Sequence, residues 1–166
     1  MPIISPILSN PLVDGRQSDR AMMVRRGVQR LLLQMNAHVL PELSLSTGRR
    51  ADLVALTRKG EIWIIEIKSS VEDFRVDRKW PEYRLHSDRF FFATHPEVPP
   101  GIFPDECGFI LSDGYGAEIL REAPEHRLSA ATRKALLTRF ARAGAARLLA
   151  AELAGVAVPA IEGESE

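Results

Sequence analysis

Two apolar runs, Arg50 to Thr57 and Glu61 to Lys68, are separated only by Arg58-Lys59-Gly60, a spacing that commits them to an antiparallel hairpin. The glycine suits the left-handed position that closes a three-residue loop. Pairing Thr57 with Glu61 and counting outward places Asp52 directly opposite Glu66. Opposed residues hold their Cβ atoms roughly 4.5–5.5 Å apart. Because strand side chains alternate with period two, Lys68 falls on the same side as Glu66. That face reads Val54, Leu56, Ile62 and Ile64 and ends in Asp52, Glu66 and Lys68, while the other reads Ala51, Leu53, Ala55, Trp63, Ile65 and Ile67. Strands apolar on both faces are central strands with cover on both sides.

The flanking elements follow from period and punctuation. From Ser18 to about Asn36, Met22, Met23, Arg26, Gly27, Arg30, Leu31 and Leu33 recur at helical spacing behind Ser18 as N-cap, with Arg16, Arg20, Arg25, Arg26 and Arg30 assigned to the polar side. Five arginines against Asp19 give that stretch a local charge of +4. Val39 to Ser46 reads as a strand, followed by a Thr47-Gly48 turn. Ser69-Ser70 ahead of Glu72 and Asp73 opens a helix running to Lys79 or, past a break at Pro81, to Leu85. Asp88 to Thr94 is a Phe-rich strand, His95 to Pro104 a proline-rich loop, and 107–111 and 117–121 are short strands about the turn Ser112 to Gly116. A long helix from Ser129 to about Leu153 closes the domain. The fold class is α/β: a mixed sheet with a helix-strand-strand-strand-helix-strand core, flanking helices and a long C-terminal helix. Residues 1–17 read as an arm, 18–155 as one domain and 156–166 as an acidic tail.

Composition narrows the function. At 166 residues, 45% hydrophobic and 27% charged, the chain supports one core. Twenty-two Lys and Arg balance twenty-two Asp and Glu, which argues against a blanket nucleic-acid binder but permits a local basic groove. One cysteine, Cys107, excludes an internal disulfide and a thiolate zinc cage and suits the cytoplasm; it is read as a small core residue. No signal peptide or membrane-length apolar run is apparent, so no membrane partner is expected. His38, His86, His95 and His126 have no metal-ligand spacing, and Gly114-Tyr115-Gly116 is a turn rather than a dinucleotide loop.

Directly opposed, partly buried carboxylates repel unless a cation compensates them. Two carboxylates completed by water suit Mg²⁺, or Mn²⁺ in its place. Such an ion stabilises charge on a phosphate and acidifies bound water, while a neighbouring ammonium orients or deprotonates the attacking water. The alternative is a structural cluster in which Lys68 simply pairs with an acid.

Asp52 on one strand and Glu66-Ile67-Lys68 on the next, framed by helices, resemble the PD-(D/E)XK nuclease superfamily. More closely, Arg49-Arg50-Ala51-Asp52, Glu66-Ile67-Lys68-Ser69-Ser70, Asp73-Phe74, Lys79-Trp80-Pro81-Glu82-Tyr83 and Asp113-Gly114-Tyr115-Gly116-Ala117-Glu118 resemble MmcB-type bacterial DNA repair proteins. The resemblance covers roughly residues 20–150. It implies a restriction-endonuclease-like, Mg²⁺-dependent nuclease core in which Asp52 and Glu66 ligate metal, the Ile67 carbonyl completes the shell and Lys68 assists the nucleophile.

Ala51 stands where the superfamily has Pro. The first helix lacks the acid many active members place there, leaving Glu42 as the substitute. Lys79 and Tyr83 are similar to a Gln-x-x-x-Tyr element that touches phosphate, with packing as the alternative for Tyr83. Arg25, Arg26, Arg49 and Arg50 complete the DNA-binding candidates. The expectation is a Mg²⁺-dependent DNA endonuclease or DNA-processing protein in repair. The alternative is a catalytically weakened nuclease fold that binds branched or damaged DNA and recruits other repair proteins. RNA as substrate and a homodimer stay open.

Overall fold

The computed structural model describes residues 18–157. The expected arm at 1–17 and residues 158–166 of the tail lie outside the described residues. Six strands, β1 (His38–Ser44), β2 (Arg50–Leu56), β3 (Ile62–Ile67), β4 (Arg89–Thr94), β5 (Gly108–Ser112) and β6 (Ala117–Arg121), form one sheet in chain order. Neighbours run antiparallel except β3 with β4 and β4 with β5, which are parallel. A parallel pair needs a crossover. The β3–β4 crossover contains α2 (Val71–Val76) and α3 (Trp80–Tyr83). With α1 (Asp19–Gln34) ahead of β1, the expected core order is present, and α4 (Ala130–Leu153) is the long final helix.

Both sheet faces are buried, as two-sided apolar strands require. Leu53, Ile65, Phe91 and Ile110 pack with Val24, Val28 and Leu32 of α1. Val54, Ile64, Phe90 and Phe92 pack with Phe74, Trp80 and Tyr83 of the crossover and with Leu136 and Phe140 of α4. Fully buried Asp88 ties α4 to the sheet. Its carboxylate accepts the Ile62 and Leu128 N–H groups at 2.7 and 2.9 Å and a two-pronged contact from Arg133 at 2.7 and 2.6 Å.

Three local expectations are corrected. The buried side of α1 is Val24, Arg25, Gly27, Val28 and Leu32, whereas Met23 and Leu33 are exposed. Gly27 fixes this phase, since a Cβ there would lie 2.0 Å from Ser112 Oγ. The helix after Ser70 stops at Val76, before Pro81, because Asp77 Oδ1 accepts the N–H groups of Lys79 and Trp80 and starts a new helix. Pro81 then sits in the first turn of α3, where its missing N–H costs nothing. Cys107 is buried but precedes β5 rather than lying in it.

Candidate active site

The β2–β3 register pairs Leu53 with Ile65 and Leu56 with Ile62, which sets Asp52 opposite Glu66 as counting from the turn requires. Gly60 closes the turn at φ +83°. Each carboxylate is anchored by the other's strand: Glu66 Oε1 accepts the Asp52 N–H at 3.1 Å, and Asp52 Oδ2 accepts the Ile67 N–H at 2.8 Å. Burial pushes the Asp52 carboxyl up to about 6, against the Ile67 N–H and Lys68, which favour its charge. Burial, and then the charge of Asp52, raises Glu66 well above the usual carboxylate range.

These acids lie with Ile67, Lys68, Ser69, Asp73, Ser18 and Ala21 around a cavity of about 370 Å³ between the N-terminal ends of α1 and α2. Ser70 caps α2 by accepting the Asp73 N–H, and Asp73 accepts the Ser69 N–H, which fixes the chain as it leaves Lys68. The Lys68 ammonium turns to Asp77, 2.7 Å away, with each side chain about nine-tenths buried. Burial opposes its charge, but Asp77 more than offsets it and raises the Lys68 pKa. Sequence reasoning missed Asp77; its signal was the Asp-x-x-Trp-Pro spacing of a capping acid before a helix.

Glu42 does join this neighbourhood. It falls across from Asp52 in the β1–β2 ladder, between Pro41↔Leu53 and Leu43↔Ala51, with a left-handed backbone at φ 56°. Its charge raises the Asp52 pKa, and Arg50 Nε meets its carboxylate at 2.6 Å. Arg25, assigned by sequence to the exposed side of α1, is buried; burial lowers its pKa, opposed by nearby Glu42. Arg26 is exposed, as is Lys79. Arg49 grips Glu82 with two hydrogen bonds. Tyr83 is packed, its ring parallel to Phe90 and its hydroxyl donating to the Arg50 carbonyl at 3.1 Å.

An oxygen-ligated divalent ion fits this donor set. Two buried carboxylates oppose each other at a raised proton affinity, and each commits only one oxygen to a backbone N–H. Among the described residues no group of three or more His, Cys, Asp and Glu forms a metal cage, so the remaining positions would fall to water, phosphate or backbone, as Mg²⁺ tolerates.

A helix-flanked mixed sheet carrying a paired-carboxylate site at the end of its central hairpin defines the class of protein. Residues 8–155 match the family described as DNA repair protein MmcB-like, and the chain belongs to that family. It is 40% identical to a protein of unknown function from Silicibacter pomeroyi, SPO1766, whose solved structure superposes with a TM-score of 0.79 over 82% of this chain and 93% of that one. No curated protein matches it. Among the described residues no helix is long and apolar enough to cross a membrane.

Proposed function

We propose that this member of a DNA repair family is a Mg²⁺-dependent DNA endonuclease or DNA-processing protein of the PD-(D/E)XK type, working in the cytoplasm on branched or damaged DNA. The observation that carries the reading is the buried Asp52–Glu66 pair, locked in register by reciprocal backbone hydrogen bonds. Asp52 and Glu66 would hold Mg²⁺, or Mn²⁺ in its place, with the Ile67 carbonyl beside them. A bound ion would supply stabilisation of charge on the scissile phosphate and acidify a water. Lys68, fixed by Asp77, contributes a positive charge and hydrogen-bond donors to the phosphate or the attacking water.

The test compares cleavage of supercoiled, nicked, flapped and four-way DNA, and of RNA, with Mg²⁺ or Mn²⁺ by wild type and Lys68→Ala. The reading expects DNA cleavage that falls by ~10²–10⁴ in the variant, the range of a general acid–base contribution. Equal cleavage by both proteins removes Lys68 from the mechanism. A second reading, a nuclease fold that binds DNA and recruits other repair proteins, is favoured by Arg25. This buried cation on α1 lies near Glu42 and Asp52, on the helix where active enzymes of the resembled superfamily carry a further acid. Tight DNA binding without cleavage by any metal would establish that second reading.

A further inference from the structure

Between Arg127 and Arg147 the chain holds six cations, Arg127, Arg133, Lys134, Arg139, Arg142 and Arg147, and no acid. In a chain whose charges balance overall, this is a concentrated positive surface. Two of the six are structural: Arg133 grips Asp88, and Arg147 donates to the carbonyls of Pro41 and Glu42. Arg127, Lys134, Arg139 and Arg142 are exposed. None of these four forms an ion pair among the described residues, and the one hydrogen bond of the Arg139 side chain to them is a long 3.4 Å bond to the Ser44 carbonyl.

The surface beneath these cations is concave. A groove of about 420 Å³ between β1 and α4 is lined by Glu42, Ser44, Thr138, Arg139, Arg142 and Arg147. Thr138 also lines a second hollow, of about 690 Å³, that continues along α4 past Lys134 to Arg127. Small side chains at Ala141 and Ala145 leave room over the helix. Lys134, Thr138 and Arg142 follow one another at four-residue steps, so the two cations stand about 12 Å apart along the axis. Measured along a duplex axis, that span corresponds to three to four base-pair steps at roughly 3.4 Å each. The groove ends at Glu42, across the ladder from Asp52.

Resting on the DNA-processing reading above, we infer that the outer side of α4 is a DNA phosphate-binding track, with Lys134 and Arg142 as its principal contacts, which leads the backbone past β1 toward the acid pair. The contacts are to phosphate and carry no base sequence.

Binding of a labelled 25-base-pair duplex by the full chain in EDTA, followed by anisotropy across salt concentrations, tests this. The comparison is wild type against Lys134→Ala with Arg142→Ala, since alanine preserves helix propensity, and thermal unfolding checks that both proteins fold. Loss of two phosphate contacts should flatten the log–log salt slope by about 1.8 and weaken binding ~10-fold or more at 0.1 M salt. An unchanged slope and affinity in the double variant, with wild type binding well, would overturn the track and leave the DNA reading standing. A wild type that ignores duplex and single-stranded DNA alike would overturn both. Preferential binding of RNA or of phosphatidylglycerol vesicles, lost in the double variant, would overturn DNA as the ligand of this surface.

Discussion

Lys68 and Asp77 close an ion pair of 2.7 Å inside the protein, while the same ammonium still favours the charged forms of Asp52 and Glu66. Removing one charge of a buried pair strands the other, and Lys68 is only 7% exposed. Asp77→Asn should therefore cost about 1–3 kcal/mol at neutral pH. Burial works against the Asp77 carboxylate, but Lys68 and the Lys79 N–H outweigh it and hold its pKa below the usual range. A depressed carboxyl pKa contributes stability in full above the unfolded value near 4, lost as pH falls through the lower folded value. Urea titrations should show the two proteins well separated at pH 7 and converging in strong acid.

Asp52 has the opposite sign. With its pKa raised to about 6, the folded state keeps protons that the unfolded chain has released, so metal-free stability falls as pH rises from about 4 to 6. Asp52→Asn keeps an acceptor for the Ile67 N–H while removing the charge. In EDTA at pH 7.5 it should be more stable than wild type by about 1–3 kcal/mol, with the gain gone near pH 4. A variant less stable than wild type throughout would mean the pair is an ordinary structural cluster.

Mg²⁺ or Mn²⁺ should raise the melting temperature of the wild type. An ion at ~100 times its dissociation constant adds about 2.7 kcal/mol if only the folded state binds it, roughly 5–10 °C for a chain of this size. Asp52→Asn and Glu66→Gln should barely respond. Equal shifts in all three proteins would place the ion elsewhere.

Asp88 is the residue whose loss should hurt stability most. Asp88→Ala leaves Arg133 and the Ile62 and Leu128 N–H groups without their shared acceptor, at a cost of about 3–5 kcal/mol. Asp88→Asn, which keeps an acceptor, should cost less. Chemical denaturation of both variants ranks them.

Gly27→Ala pits two effects against each other. Alanine gains about 1 kcal/mol of helix propensity, but its Cβ would meet Ser112 Oγ at 2.0 Å and the Gly116 carbonyl oxygen at 2.7 Å. Backbone cannot swing aside as a side chain can, so α1 must shift. A net loss of about 1–3 kcal/mol is expected, and a stabilised variant would show that the α1–β5 contact is looser than this.

The central hairpin was legible in the sequence because its register depends only on one short turn and on the alternation of Val54, Leu56, Ile62 and Ile64. The phase of α1 was not, because Met23 and Leu33 are as apolar as Val24 and Val28 and only the close approach at Gly27 chooses between them. Asp77 escaped notice because helix arithmetic put the break at Pro81, whereas the acid itself makes the break four residues earlier. The face of Glu42 was open in the sequence because it depends on how the loop at Thr47-Gly48 sets the β1–β2 register, which the pairs Pro41↔Leu53 and Leu43↔Ala51 fix in the structure. Arg25 looked like a surface charge because nothing local announces that a guanidinium will be buried near a carboxylate on another strand.

The chain-ordered sheet bears on assembly during synthesis. Each strand after β1 has the strand made just before it as a neighbour, so as the chain emerges N-terminus first every strand from β2 onward meets a partner already made. The acid pair can register once residue 67 is out. The clamp on Asp88 must wait for Arg133, sixty-six residues later. In the interval the nascent domain carries its paired carboxylates on a sheet that lacks the α4 clamp, which makes the last helix the element that locks the scaffold around them.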